Sequence, residues 1–259
     1  MRNCLLTLRT LPKDLKRQVP AFVALPRTHV SIINCDFIGG TGQNLTSALV
    51  FMYPATVIIS ICRFSRFRGG AVYSVCQAKD VVRGIKGSEF LMQDCKIEDG
   101  AITGIYCAGP GAKQVLLRNK LQNIRGIGIR IHKGNKSKVK GCEIKKCITG
   151  IEVLSGDPMV LFCSIKNCWE NGILTIAKEG IRCDGLIKMS WIRQCRDNGI
   201  LCAGFNNHTR IEKCHEIQSN RLVGIKAVEQ ASIVIFGNKI FGNFQQGILL
   251  TDGTSAHIE

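Results

Sequence analysis

The feature that most constrains this chain is a short phrase that it repeats, a glycine followed by two alternating apolar positions. It occurs as Gly104-Ile105-Tyr106-Cys107, Gly128-Ile129-Arg130-Ile131, Gly150-Ile151-Glu152-Val153 and Gly172-Ile173-Leu174-Thr175. It recurs at Gly199-Ile200-Leu201-Cys202, Gly224-Ile225-Lys226-Ala227 and Gly247-Ile248-Leu249-Leu250. Successive glycines lie 24, 22, 22, 27, 25 and 23 residues apart. A unit this short cannot bury an apolar face alone, so it has to stack on its own copies. The pattern therefore predicts one elongated domain, although 259 residues could hold two.

Upstream of each Gly-Ile step lies a second phrase, with apolar residues on alternate positions leading to Cys or Asn. Val139 to Cys142 and Ile144, Val115 to Asn119 and Leu121, and Ile233 to Asn238 and Ile240 show it. Period-two alternation in such short runs predicts strands. No hairpin turn or helical pattern intervenes, so each strand must pair in parallel with its copy one coil away. At about 4.8 Å per coil, nine or ten coils make a rod about 45 Å long. Aromatic residues are only 6% of the chain, and Ile, Val, Leu and Cys suit narrow stacked strands.

Nine of the fourteen cysteines fall in two registers of the repeat. Cys35, Cys62, Cys95, Cys142, Cys163 and Cys214 form one column, shared with Asn119 and Asn238. Cys147, Cys168 and Cys195 begin another, five residues on, which Asn243 ends. An inward amide can hydrogen-bond its copies above and below, and a thiol fills similar space. Buried, reduced thiols follow from this, and with them an intracellular setting, cytoplasmic or nuclear. No Cys-x-x-Cys pair occurs and His29, His132, His208, His215 and His257 are scattered, so neither a metal site nor a cofactor is expected.

This arrangement resembles the right-handed parallel β-helix repeat family of pectate-lyase-like proteins, most clearly over Gly237-Asn238-Lys239-Ile240-Phe241-Gly242-Asn243 through Gly247-Ile248. The resemblance implies an all-β solenoid of about nine to ten coils over residues 30–259, preceded by a cap or leader segment at 1–29. Arg2, Arg9, Lys13, Lys16, Arg17 and Arg27 in that segment leave organelle targeting open. The cysteine-rich coils are closest in style to the β-helix domains of F-box proteins and of a Shc-binding spindle protein, and Leu11-Pro12-Lys13-Asp14-Leu15 echoes an F-box opening. Relatives that cleave pectin build their cleft on the outward positions of the Gly-Ile strand. Here that row reads Tyr106, Arg130, Glu152, Leu174, Leu201, Lys226 and Leu249, with Arg130 and Glu152 as a surface ion pair. The paired-aspartate, Gly-His-Gly and Arg-Ile-Lys signatures of polygalacturonases are missing.

Two irregular stretches, Gly39 to Asn44 and Cys76 to Gly87, are expected as excursions from the rod. Cys168-Trp169-Glu170-Asn171-Gly172 repeats one coil later as Cys195-Arg196-Asp197-Asn198-Gly199, which places Glu170 beside Asp197 as a weak catalytic candidate and Trp169 against Arg196. Ordinary turn chemistry explains the same acids.

The charge pattern is more directive. Most of the formal net charge of +16 falls between Lys113 and Lys146. Arg118, Lys120, Arg125, Arg130, Lys133, Lys136, Lys138, Lys140, Lys145 and Lys146 are the candidate binding residues, with Arg118 stacked on Lys140 at one-coil spacing. Such a band would attract an acidic protein surface first, or an anionic glycan, a membrane surface or nucleic acid. No apolar run is long enough to cross a membrane. The leading expectation is a non-catalytic scaffold for protein binding, with substrate recognition in a ubiquitin-ligase-like context. The alternative is a polysaccharide lyase or glycoside hydrolase acting on an acidic glycan.

Overall fold

The computed structural model describes residues 5–7, 22–24, 28–39, 47–52, 56–76 and 90–259 apart from 101, 111 and 179. Among these there are strands, turns and bends but no helix, and no segment that could cross a membrane as one. The chain winds as a right-handed parallel β-helix with three strand faces per coil. The first face is a ten-stranded sheet from His29–Ile33 to Ser255–Ile258, close to the nine to ten coils that the repeat predicts. The second and third faces share an eighteen-stranded sheet, to which Leu5–Thr7 and Phe22–Ala24 contribute one strand each. Every strand pairing is parallel, for example Met159–Leu161 with Leu186–Lys188.

Three apolar ladders fill the rod. On the first face Ile59, Met92, Leu116, Val139, Val160, Ile187, Ile211 and Ile235 stack in register. On the second, Phe37 stacks on Phe64 with centroids 4.9 Å apart, and Ile97, Leu121, Ile144, Ile165, Ile192 and Ile217 continue the series. The isoleucines of the Gly-Ile phrase form the third, from Ile105 to Ile248. Each inward side chain thus meets a similar one about 4.8 Å away, which packs a narrow core without large voids.

The glycine ahead of each isoleucine is required by a close approach. A Cβ on Gly128 would lie 2.6 Å from the Gly150 carbonyl oxygen and 2.9 Å from the Ile144 methyl, and one on Gly150 would lie 2.5 Å from the Gly172 carbonyl oxygen. The same carbonyl contact recurs at Gly104, Gly172, Gly199 and Gly224. At the last step, Gly247 would meet only Ile240 at 3.5 Å.

Single residues in the left-handed conformation make two of the three corners between faces. Asp94, Arg118, Gly141, Phe162, Met189 and Lys213 turn the chain from the first face to the second. Arg66, Asp99, Asn123, Lys146, Asn167 and Gln194 turn it from the second to the third. Inside the first corner the expected polar column is present in a mixed form. The Asn119 amide accepts the Cys95 N–H and donates to the Met92 carbonyl. In the second corner's column Asn220 donates to its copy Asn243 at 2.9 Å. Cysteines imitate this weakly, with Cys163 donating to the Val139 carbonyl at 3.6 Å. All thirteen cysteines described are buried thiols, and burial pushes those of Cys107 and Cys202 up to about 12. The expected excursions at 40–44 and 77–87 lie outside the described residues.

Candidate functional site

The corner between the second and third faces repeats a three-residue pattern. After the left-handed residue comes an inward side chain, Phe67, Gly100, Ile124, Cys147, Cys168 or Cys195, and then an outward one. The outward positions stack in a column: the Trp169 N–H donates to the Cys147 carbonyl, Arg196 to Cys168 and Arg221 to Cys195, each at 2.9 Å. The Phe244 N–H continues the series to Asn220 at 3.0 Å. Ile148, Trp169, Arg196, Arg221 and Phe244 therefore follow one another along the rod, with Arg125 and Arg68 earlier in the same column.

A groove of about 1620 Å³ runs along this corner from Ile38 to Arg196 and crosses seven successive coils. Six coil spacings make it about 30 Å long. Arg66, Arg68, Arg125, Lys146 and Arg196 line it against two carboxylates, Asp99 and Glu170. Trp169 stands in its wall, 53% exposed, with the Arg196 guanidinium carbon 3.8 Å from its ring centroid. Stacked on the indole, the guanidinium keeps its in-plane N–H donors clear of the ring face.

Only Arg125 and Lys146 of the ten candidate binding residues line this groove. The others are distributed around the rod, because residues consecutive in one coil point in different directions. Lys138 and Lys140 flank inward Val139 on the first face, Lys120 and Lys145 lie on the second, and Lys133 and Lys136 follow the third. Neighbouring coils also supply acids that the linear sequence keeps apart. Arg118 binds Asp94 through Nε at 2.8 Å and Nη2 at 2.7 Å, and these bonds hold the Asp94 carboxyl below its ordinary range. Lys120 pairs with Glu143 at 3.7 Å and Lys136 with Asp157 at 3.4 Å.

Two expected contacts need correction. Lys140 is in register with Leu117, and Arg118 lies opposite Gly141 instead, because the corner residue is one step beyond the paired strand. The Arg130–Glu152 pair, 2.7 Å between Nε and Oε1, is not a free surface pair, since Glu152 is 8% exposed. A buried carboxylate holds Arg130 and takes it out of the set of available cations.

Glu170 and Asp197 do come onto adjacent coils, the Asp197 N–H donating to the Glu170 carbonyl at 3.2 Å. Glu170 lines the groove and Asp197 does not. No group of His, Cys, Asp or Glu among the described residues could hold a metal ion. Arg66, Arg68 and Arg196 were not among the expected binding residues. A fixed offset would have found two of them, since Arg68, Arg125, Ile148 and Trp169 each lie six residues after Cys62, Asn119, Cys142 and Cys163, and Arg196 lies six after Ser190.

The profile described as the right handed beta helix region matches residues 80–259. The chain belongs to the right-handed β-helix family. No curated protein sequence matches the chain. Among solved structures this β-helix protein is similar to the periplasmic alginate epimerase AlgG, at 11% identity and a TM-score of 0.55 over 97% of this chain and 83% of that one. It is also similar to tailspike protein 3 of bacteriophage CBA120, at 10% identity and a TM-score of 0.52 over 98% of this chain but only 49% of the tailspike. At such identities the likeness shows the shared fold. Nothing in these comparisons points to an F-box or Shc-binding protein.

Proposed function

We propose that this β-helix protein binds an anionic polysaccharide lengthwise in the groove along its second corner. The observation that carries the reading is the alignment of five cations and a tryptophan along a groove that crosses seven coils, a length that a polymer can fill and a small molecule cannot. A surface of one prevailing sign with a partly apolar floor concentrates an oppositely charged ligand. Guanidinium groups engage carboxylates in bidentate fashion, and an exposed indole edge offers apolar area to a sugar ring. The alginate epimerase of similar fold is named for an acidic polysaccharide, which supports this reading over a ubiquitin-ligase scaffold.

The role proposed is binding; Glu170 lines the groove, and Asp197 on the next coil does not. Titration calorimetry with polygalacturonate and with alginate tests it. The wild type should bind at low ionic strength, and the Arg125→Glu, Arg196→Glu double variant should bind at least about tenfold more weakly, from loss of two charge-assisted contacts. Equal affinity for a neutral glucan, or no change in the double variant, would sink the proposal. Shortened or unsaturated products would replace binding alone by the enzymatic alternative.

A further inference from the structure

The outward surface of the first face carries a different chemistry from the groove. On the coils between Lys138 and Phe236, Met159 is in register with Leu186 and Leu161 with Lys188, while Phe162 and Met189 follow at the corner. Met159 is 41%, Phe162 43% and Phe236 36% exposed. Met159, Leu161, Phe162, Leu186 and Met189 form an apolar strip across two coils, and Phe236 lies beyond the next coil, which presents Arg210, Glu212 and Lys213; an exposed apolar patch of this kind marks an interaction surface.

Two observations set this strip apart from scattered surface apolar residues. Phe162 and Met189 occupy the left-handed corner with φ of 53° and 50°, in a column where Gly141 and Gly237 adopt the same conformation without strain. Bulky residues in that region are held at a conformational cost, and here they are held facing outward. Cations also recur against the aromatic rings, Lys140 Nζ lying 5.8 Å from the Phe162 centroid and Lys213 Nζ 5.6 Å from that of Phe236. Lys138 is exposed nearby, and the carboxylate between the strip and Phe236, Glu212, is buried and paired with Lys188 and Arg210.

We propose that this face docks on an anionic phospholipid surface. Phenylalanine and methionine beside flexible lysines suit the boundary between acyl chains and headgroups, where the lysine stems lie along apolar surface and the ammonium groups meet phosphate or carboxylate. The geometry favours a plane over a peptide. Met159–Leu161 is hydrogen-bonded on both sides, to Lys138–Lys140 and to Leu186–Lys188, so the strands that carry the strip have no free edge on which an extended peptide could add.

Co-sedimentation of the full chain with vesicles tests the proposal. Binding is expected to vesicles of phosphatidylcholine mixed with phosphatidylserine, and not to phosphatidylcholine alone. Lys140→Ala and Lys213→Ala should each weaken it about fivefold, the worth of one surface cation. Phe162→Gly with Met189→Gly should weaken it by about tenfold or more from lost apolar contact. Those two glycines relieve backbone strain, so thermal stability should be kept and a loss of binding cannot come from unfolding. Absence of phosphatidylserine-dependent binding would overturn the inference, and so would wild-type binding by the double glycine variant. Loss of vesicle binding in Arg125→Glu, Arg196→Glu alone would also overturn it, by assigning the headgroups to the groove. Capture of an acidic amphipathic peptide without any vesicle binding would replace the bilayer by a protein partner.

Discussion

The Asn119 amide shows how one side chain completes a coil. It accepts the Cys95 N–H at 3.0 Å and donates to the Met92 carbonyl at 2.9 Å, so two buried backbone groups beside a corner are paired. Cys142 and Cys163, in the same column, fill the space but bond their carbonyls at 3.7 and 3.6 Å. Near the end of the rod amides recur in both columns: Asn238 in this one accepts the Cys214 N–H and donates to the Ile211 carbonyl, and Asn243 in the second accepts the Asn220 N–H. A second residue with local consequences is Glu98 on the second face. Burial alone would raise its pKa, but hydrogen bonds from Lys96, Arg63 and Gln122 outweigh this and hold it below the ordinary glutamate value. A folded pKa below the unfolded one means that the ion pairs stabilise the protein above the unfolded value of about 4.3, and that this contribution is lost as pH falls through the folded value. Glu98→Gln should cost about 1.5–3 kcal/mol at neutral pH. Its Tm should fall less steeply than that of the wild type on acidification, so that the two curves converge as pH falls through the folded Glu98 value; parallel curves would contradict the assignment.

At the scale of the strand and its corner, the glycine ladder explains the repeated phrase. Its spacing was legible in the sequence, but its cause is the carbonyl of the next coil, which approaches where a Cβ would stand. Gly150→Ala should destabilise the protein by about 1–3 kcal/mol, because the obstructing Gly172 oxygen belongs to a backbone fixed in two ladders. Gly247→Ala should be nearly neutral, since the nearest atom to its Cβ is a methyl group at 3.5 Å. Chemical denaturation of the two variants separates this packing explanation from a mere preference for glycine at turns, which would affect both alike. Strand order, parallel pairing and the inward ladders were likewise readable, since alternation and period dictate them. The corner residues were not. Ile61 and Phe162 take left-handed φ values of 56° and 53°, which no local propensity of isoleucine or phenylalanine predicts and which the fixed path between two stacked faces imposes.

Across the whole molecule, what matters for binding is which charges share a surface. The stretch from Lys113 to Lys146 looks like one basic band in the linear sequence, yet the winding of the coil sends its members to all three faces and to the corners between them. Lys133→Glu with Lys138→Glu changes the net charge as much as Arg125→Glu with Arg196→Glu. If the groove is the binding surface, only the second pair should reduce polysaccharide affinity strongly, and the first should act through weak long-range repulsion that disappears near 0.15 M salt, where the screening length is about 8 Å. Equal losses in both pairs at that salt would mean that net charge, and not the groove, drives binding.

The amino-acid pattern alone was sufficient for the rod, its period, its parallel pairing and its cysteine- and isoleucine-filled interior, because each of these follows from alternation within a strand and repetition from coil to coil. Tertiary structure decided the site. Axial neighbours are separated by 21 to 27 residues along Arg125, Ile148, Trp169 and Arg196, while residues side by side in one coil diverge around the rod. A groove of Arg66, Arg68, Arg125, Lys146 and Arg196 exists only once the coils are stacked. Stacking also brings Asp94 to Arg118 and Glu152 to Arg130, which removes from the linear band two of its apparent cations.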